Sequence, residues 1–272
     1  MIADALALAL TNYAALLVAF ALLWGVSWRI RDASIVDIAW GPACALPGLL
    51  TLARIDGADP RAVLLAACSS VWAARLAFHL ARRNIGHGED PRYRVMRARR
   101  RSDADFAWWS LVWVFGLQAT IAWFVSLPLQ VGQFGPDRPL GPLAYGGVAI
   151  FALGLAFEAV GDAQLAAWKR DPQNAGKLMR SGLWSWTRHP NYFGDCCVWS
   201  GLALIALEGP VGWLGAVSPF VMGYFLYFVS GKALLERGMR KRYKDYAAYE
   251  ATVSGFFPLP PRTPPIDPTA KK

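Results

Sequence analysis

The chain has 272 residues, of which 55% are hydrophobic and only 17% are charged, and its formal net charge is +9. Several apolar runs are long enough to cross a bilayer, which excludes an ordinary soluble domain and predicts an all-α integral membrane protein. The basic residues lie in the loops around these runs and not in a separate basic domain, so nucleic acid is not expected as a partner.

Seven membrane helices are predicted in chain order. The first is not expected to be a cleaved signal peptide, because it lacks a positive N-terminal region, carries Asp4 and has a longer apolar run than a signal core. We expect a single membrane domain over residues 1–258, followed by a Pro-rich cytosolic tail over residues 259–272. The predicted spans are Leu6–Trp28, Ser34–Leu52, Ala62–Leu80, Phe106–Leu129, Leu143–Trp168, Phe193–Leu207 and Val211–Ser230.

The 28 Lys and Arg residues are distributed unevenly between the loops. If the loop after the third span faces the cytosol, 24 of them lie on the inner side and 3 on the outer side. Cytosolic loops of membrane proteins carry such an excess of Lys and Arg, so we expect the N-terminus outside and the C-terminus inside. The composition suits a bacterial cytoplasmic membrane, and an endoplasmic-reticulum membrane is the alternative location.

Ionisable residues inside the predicted spans are costly in hydrocarbon, so each of them is a candidate functional residue. Asp37 lies near the inner end of span two, Arg75 and His79 share one face of span three, and Glu158 and Asp162 share one face of span five. Asp37 also has a structural alternative as the partner of Arg75. Together these groups predict a polar cavity between the helices that opens to the cytosol. Three further charged residues belong to the same inner end: Lys169, Asp195 and Glu236.

The loop Ser181–Asp195, SGLWSWTRHPNYFGD, leads into the sixth span. Pro190 suits the first turn of a helix, and the free N–H groups of such a turn favour an anion. Arg188 adds a planar guanidinium that matches phosphate, and Asn191 and Tyr192 are expected to face the cavity. His189 taken alone is more often structural than catalytic. The cysteines have no metal-ligand spacing, so no metal site is expected.

Residues 241–258, KRYKDYAAYEATVSGFFP, are predicted to form an amphipathic helix at the membrane surface. Tyr243, Tyr246 and Tyr249 recur every three residues among charged residues. Contact of this helix with a bound ligand is the alternative interpretation. Residues 84–97 are the other cytosolic segment that can close over a ligand.

These motifs resemble a known group of membrane enzymes. Residues 158–195, with GLW and RHPNYFGD, are similar to the C-terminal domain of steroid 5-alpha-reductases, and more closely to their bacterial relatives of undefined function. VDIAWG (residues 36–41), GEDPRY (residues 88–93) and the ending LLERGMRKRYKDYAAYE with FFP are also like those relatives. Sterol reductases and isoprenylcysteine carboxyl methyltransferases share an Arg-His-Pro-x-Tyr core more distantly.

The resemblance implies a seven-helix reductase that holds NADPH in a cytosol-facing cavity and takes a lipid-like substrate from the bilayer. By position it implies that Asp162, Lys169, Trp184, Asn191 and Asp195 contact the nucleotide, whereas Arg188 and Tyr192 match the loop of the sterol reductases and methyltransferases. The full set of predicted cofactor-binding residues is Glu158, Asp162, Lys169, Trp184, Arg188, His189, Asn191, Tyr192, Asp195 and Glu236.

Two departures from the steroid 5-alpha-reductases concern the catalytic residues. Val36-Asp37 stands where those enzymes have a Gln-Glu pair, and Trp72 stands where they have a Tyr. Because of these departures the prediction is not limited to steroids. The leading prediction is an NADPH-dependent reductase of an activated C=C bond in a sterol-like, isoprenoid or other lipid substrate. Asp37 is its first catalytic candidate and Tyr93 its second.

Two alternatives remain open from the sequence. One is an S-adenosylmethionine-dependent methyltransferase of a lipidated or apolar acceptor, and the other is a small lipid-binding or transport protein. Membrane lipids and a lipid-like small molecule are the expected partners, and the sequence indicates no obligate protein partner.

Overall fold

The computed structural model of the protein describes residues 1–55, 57, 59–229 and 231–262. The regular elements in this part of the chain are all helical, which confirms the predicted all-α class. One isolated parallel bridge joins Thr187 to Ser254. Residues 263–272, which form most of the predicted Pro-rich tail, lie outside the described residues.

The helices follow one another with short connections. Two π-helical segments, Leu111–Gly116 and Phe225–Val229, continue α-helices, and short 3-10 turns occur at Pro172–Asn174, Gly182–Ser185 and Gly212–Val217. The α-helices are α1 (Ile2–Ile30), α2 (Ile35–Leu52), α3 (Pro60–Asn84), α4 (Pro91–Ala98), α5 (Asp103–Ser110), α6 (Leu117–Val125), α7 (Leu127–Val131), α8 (Pro142–Arg170), α9 (Pro190–Ala206), α10 (Ser218–Tyr224), α11 (Lys232–Arg242) and α12 (Tyr246–Thr252).

Six helical stretches of the described chain are long and apolar enough to cross a membrane. They match six of the seven predicted spans, so the protein is a multi-helix membrane protein by length and composition. The exception is α9, which replaces the predicted span Phe193–Leu207 and has only 17 residues. The six stretches are Ile2–Ile30, Ile35–Leu52, Pro60–Asn84, Asp103–Val125, Pro142–Arg170 and Gly212–Val229.

Side-chain caps place the starts of the helices around the third span. The Asp59 carboxylate accepts a hydrogen bond from the Ala62 N–H, and Pro60 occupies the first helical position, where its missing N–H costs nothing. Asp90 and Pro91 repeat this arrangement at the start of α4. Local sequence therefore fixes α4 as a separate short helix directly after the membrane span.

The chain divides into two compact units. Unit 1 comprises residues 1–148 and 200–221, and unit 2 comprises residues 149–199 and the described residues from 222 onward. Inside unit 1, a buried amide network joins Asn12 of α1 to Thr51 of α2 and Gln130 of α7. Inside unit 2, Gly154 of α8 and Gly194 of α9 bring the two backbones into close contact, as small residues do between membrane helices.

The prediction of one amphipathic surface helix over residues 241–258 is wrong. Instead α11 ends at Arg242, and the separate helix α12 spans Tyr246–Thr252. Tyr246 and Tyr249 are buried against Leu178 and Val253 in a small apolar core of unit 2. The tyrosine spacing therefore reflects contact with the protein itself and not with the membrane surface.

Candidate functional site

Asp37 and Tyr93, the two predicted catalytic residues, lie in direct contact within unit 1. The Tyr93 hydroxyl donates a hydrogen bond to Asp37 Oδ1 at 2.8 Å, and Arg92 Nη2 donates to Asp37 Oδ2 at 2.6 Å. Gln118 Nε2 lies 3.4 Å from the Tyr93 hydroxyl oxygen. We call these four residues the Asp37–Tyr93 cluster. Among the described contacts Asp37 pairs with the guanidinium of Arg92, and the alternative pairing of Asp37 with Arg75 stays a prediction.

The connection between α3 and α4 brings this cluster together. The Asp90 N–H donates to Ser34 Oγ, and Glu89 accepts from the Ala33 N–H, so the start of α4 is fixed to the start of α2. Arg97 donates to Glu89 and lies over the Phe106 ring, 4.2 Å from its centroid. The GEDPRY motif therefore positions Tyr93 over Asp37.

The Asp37–Tyr93 cluster can hold and move a proton. Tyr93 is 5% exposed, and burial raises the pKa of its hydroxyl above the usual range, helped by the neighbouring Asp37 carboxylate. The phenol therefore keeps its proton at neutral pH. Arg92 pairs with Asp37 at 2.6 Å, and the buried phenol of Tyr93 carries a transferable proton beside this pair.

A second charged cluster lies in unit 2 and contains three of the predicted cofactor-binding residues. Arg188 pairs with Glu236 at 3.0 Å, and His189 Nε2 lies 3.1 Å from the same Glu236 Oε1. All three side chains are less than 10% exposed. Arg188 also pairs with Glu250 at 3.6 Å. We call these four residues the Arg188–Glu236 cluster.

The C-terminal segment encloses the Arg188 guanidinium with backbone groups. Arg188 Nη1 donates to the carbonyl oxygens of Val253 and Glu250, and the Arg188 N–H donates to the Ser254 carbonyl. Thr187 Oγ1 donates to the carbonyl of Phe256. These protein groups engage the guanidinium that the sequence suggested for phosphate, so its contacts favour a role in positioning the loop.

Within the Arg188–Glu236 cluster the surroundings favour an ionised Glu236 and a neutral His189. Burial raises the pKa of Glu236, but hydrogen bonds from His189 and Arg188 outweigh it and lower that pKa to about 2. Burial also lowers the pKa of His189 below its usual value, in spite of the Glu236 hydrogen bond. At neutral pH the cluster therefore holds one buried ion pair and a neutral imidazole, whose ring stacks on Tyr192 at a centroid distance of 5.3 Å.

The remaining predicted cofactor-binding residues line α8, the adjoining loop and α9 of unit 2. Glu158 and Asp162 are buried, and Asn191 Nδ2 donates to Asp162 Oδ1 at 3.3 Å. Trp184 Nε1 donates to the Gly161 carbonyl at 3.0 Å. Asp195 is half-buried on α9, whereas Lys169 is exposed near the end of α8. The carboxylates and the amide suit the hydroxyl groups of a ribose, which is the chemistry that a nucleotide needs.

Several residues of both clusters were missed by sequence reasoning. Arg92 is adjacent to Tyr93 in the GEDPRY motif, so this motif could have indicated its role. Gln118 and Glu250 are brought in by tertiary packing, and no local pattern signals them.

The helices and the two charged clusters define a multi-helix membrane protein with polar sites. The chain belongs to the DUF1295 family of proteins of unknown function, whose model matches residues 23–253. This family is similar to the steroid 5-alpha-reductases, which confirms the coarser part of the resemblance.

Individual relatives are more distant or cover less of the chain. An uncharacterized protein of Schizosaccharomyces pombe is 24% identical over 87% of this chain and 75% of its own length. The probable O-methyltransferase ustE of Ustilaginoidea virens is 40% identical over 26% of this chain and 25% of its own length. The lamin-B receptor of Drosophila melanogaster is 36% identical over 28% of this chain and 9% of its own length. No solved structure matches the chain.

Proposed function

We propose that the protein is an NADPH-dependent membrane reductase of an activated C=C bond in a sterol-like, isoprenoid or other lipid substrate. The observation that carries this proposal is the buried phenol of Tyr93 in contact with the Asp37 carboxylate. Reduction of an activated double bond needs a proton as well as a hydride, and a buried, protonated phenol is a suitable general acid. The family's similarity to steroid 5-alpha-reductases supports the same reaction class.

The cofactor and the residues of the chain would have different roles in this reaction. Bound NADPH supplies the hydride. Tyr93 would donate its proton to the substrate, Asp37, held by Arg92, would orient the hydroxyl, and the charge of Arg92 would stabilise the phenolate after the transfer. Asp162 and Asn191 would bind ribose hydroxyl groups, and the Arg188–Glu236 cluster would position the start of α9, which carries Asn191.

A second candidate function is an S-adenosylmethionine-dependent methyltransferase of an apolar acceptor. The identity with the probable O-methyltransferase ustE favours it. In that case the acidic groups of unit 2 would bind the ribose and the amine of the cofactor, and the proton chemistry of Tyr93 would not be required.

Thermal unfolding of the purified protein in mild detergent separates the two functions. Under the reductase proposal NADPH raises the Tm more than NADH does, and S-adenosylmethionine leaves it unchanged. A ligand at about one hundred times its Kd stabilises the folded state by about 2.7 kcal/mol, which is readily measured. Stabilisation by S-adenosylmethionine without any effect of NADPH would replace the reductase proposal with the methyltransferase.

The proposal includes an orientation in a bacterial cytoplasmic membrane, with the N-terminus outside and the C-terminus inside. It is supported by the excess of Lys and Arg in the loops assigned to the inner side. A reporter fused after Lys272 is expected to be active only in the cytosol. Activity of that fusion on the outer side would reverse the orientation.

A further inference from the structure

A groove of about 410 Å³ lies in unit 1 between α1 and the π-helical segment Leu111–Gly116. Its volume is within the range of about 300–1,000 Å³ that is usual for ligand pockets. Phe20 and Phe115 line it on the buried side, whereas Leu17 and Val112 line it on the exposed side. The groove therefore opens on the outer surface of the helices, which faces lipid in a membrane.

Tyr13 and Thr120 line one end of this groove and pair with each other. The two hydroxyl oxygens are 2.8 Å apart, and Thr120 Oγ1 donates to the carbonyl oxygen of Gly116 at 2.9 Å. Because Thr120 has a single hydroxyl proton, the Tyr13 hydroxyl is the donor in the bond between them. These two groups have no free proton for a keto oxygen, so this end of the groove suits a hydrocarbon chain.

Three tryptophans continue the groove in the other direction. Trp24 follows Ala21 of the groove by one turn of α1, and Trp108 precedes Leu111 of the groove by one turn, so they share its faces. The Trp24 ring centroid lies 5.0 Å from that of Trp108 and 5.2 Å from that of Trp28. Tryptophan is enriched where a membrane meets water, so this end of the groove has the character of a membrane interface.

The length of the groove matches one leaflet of a bilayer. Trp24 lies 11 residues after Tyr13 on α1, which corresponds to about 16 Å along the helix axis. Half of a hydrocarbon core of about 30 Å is about 15 Å. A chain that begins at the tryptophans and ends at Tyr13 therefore has the reach of an acyl chain in one leaflet.

The carboxylates around the start of α5, beside the tryptophans, are already engaged. Arg31 Nη1 lies 3.9 Å from Asp103 Oδ2, which brings the end of α1 close to the start of α5. Arg97 pairs with the same Asp103 at 3.5 Å and with Glu89 at 2.7 Å. The Asp105 carboxylate accepts a backbone N–H just before α5. Two arginines thus share these acidic groups, and other arginines nearby are left without one.

Arg29 and Arg100 are two such arginines, since neither forms an ion pair with a carboxylate of the described residues. Arg29 is exposed and directly follows Trp28. The Arg100 guanidinium lies over the Trp109 ring, 4.1 Å from its centroid. This stacking fixes the guanidinium plane and leaves its N–H groups to donate to an anion. Uncompensated basic residues beside a membrane helix attract anionic lipids.

We propose that the groove holds one acyl chain of an anionic phospholipid whose headgroup lies at Trp28, Arg29 and Arg100. The guanidinium groups bind the phosphate and the negative charge of the headgroup, and the tryptophan rings lie at the level of the glycerol backbone. An anionic phospholipid fits better than an uncharged substrate, because positive charge lies at one end of the groove and hydrocarbon lines the rest. The site lies in unit 1 and does not rest on the proposed function.

The headgroup is tested with phosphatidylglycerol and phosphatidylcholine of identical acyl chains. Their Kd values are measured by titration into the protein in mild detergent. The unchanged protein should bind the anionic phosphatidylglycerol more tightly than the zwitterionic phosphatidylcholine. Arg29→Gln and Arg100→Gln should each weaken phosphatidylglycerol binding about fivefold and leave phosphatidylcholine binding nearly unchanged. Arg138→Gln, at an exposed arginine between α7 and α8, is the matched control and should change neither Kd.

The groove is tested with a second pair of variants. Ala21→Phe places a ring in the space for the acyl chain, so it should weaken both phospholipids about tenfold. Ala7→Phe makes the same change at an exposed alanine of α1 that does not line the groove, and it should leave both Kd values unchanged.

Three outcomes would overturn the site. Equal Kd values for the two phospholipids, or an Arg29→Gln protein that behaves like Arg138→Gln, would reduce the headgroup contacts to general interfacial attraction. Phospholipid binding that Ala21→Phe leaves unchanged would remove the acyl chain from the groove. Displacement of phosphatidylglycerol by an uncharged sterol would assign the groove to an apolar substrate instead. None of these measurements involves NADPH or S-adenosylmethionine, so a failure of this site is distinguishable from a failure of the proposed function.

Discussion

The two charged clusters differ in how far the protein closes them. In the Asp37–Tyr93 cluster the Arg92 side chain is 45% exposed, so water or a ligand can reach the ion pair. In the Arg188–Glu236 cluster the Arg188 side chain is 9% exposed and receives its partners from three separate parts of unit 2. The open cluster has the properties of a reactive site, whereas the closed one has those of a fixed support.

The largest expected loss of stability comes from a substitution in the closed Arg188–Glu236 cluster. Arg188→Met removes the guanidinium and leaves the Glu236 carboxylate buried without its main counter-charge, which should cost roughly 3–5 kcal/mol of the free energy of unfolding. Arg92→Met should cost about 1 kcal/mol or less, because the Arg92 side chain is 45% exposed and Asp37 keeps the Tyr93 hydrogen bond.

Denaturation of both variants in detergent, beside Arg237→Met as an exposed control on α11, checks this prediction. An Arg92→Met protein as unstable as Arg188→Met would show that the exposed cluster is equally important for the fold, and the contrast between the clusters would disappear.

Lowering the pH should destabilise the protein through the same Arg188–Glu236 cluster, by slightly less than the Arg188→Met substitution does. The folded state lowers the Glu236 pKa from 4.5 to about 2, so Glu236 contributes stability above pH 4.5 that is lost as the pH falls towards 2. This shift corresponds to a contribution on the order of 3 kcal/mol. The lowered pKa of the buried His189 acts in the same direction below about pH 6.5, since the unfolded chain takes up that proton first.

The measurement is the free energy of unfolding between pH 7 and pH 3, with Glu236→Gln as the comparison. The variant should be less stable at neutral pH and should lose less stability on acidification. Identical slopes for both proteins would mean that Glu236 does not titrate with folding.

The contrast between the clusters also marks what the sequence predicts and what it does not. Six of the seven predicted spans are found in the structure, because a run of apolar residues has to be helical in a bilayer whatever its neighbours are. The role of Arg188 is different, because its carbonyl partners Glu250 and Val253 lie 62 and 65 residues further along the chain. A planar guanidinium beside a helix start suggests phosphate binding, and only the folded C-terminal segment shows the internal use of that charge.

Asp37 and Tyr93 were both identified as candidates, but their relation was not. Asp37 was the first candidate for the acid because burial favours the protonated form of a carboxyl group. The fold places Arg92 on one carboxylate oxygen of Asp37 and the phenol of Tyr93 on the other, and this phenol carries a proton that it can donate. In the proposed mechanism this tertiary contact makes Tyr93 the proton donor and Asp37 its partner.

The last prediction tests the open cluster, where the effect should be on turnover and only slightly on stability. Tyr93→Phe keeps the ring and removes the acidic proton, so single-turnover NADPH oxidation with a reducible lipid substrate should slow by about a hundredfold or more. Asp37→Asn keeps an acceptor for the Tyr93 hydroxyl but loses the charge, so a smaller loss is expected. Tyr145→Phe, at an exposed tyrosine of α8, serves as the matched control. Because Tyr93 loses one hydrogen bond, its variant should unfold with a free energy only about 1 kcal/mol lower. Full turnover in a stable Tyr93→Phe protein, with a large loss in Asp37→Asn, would return the catalytic proton to Asp37.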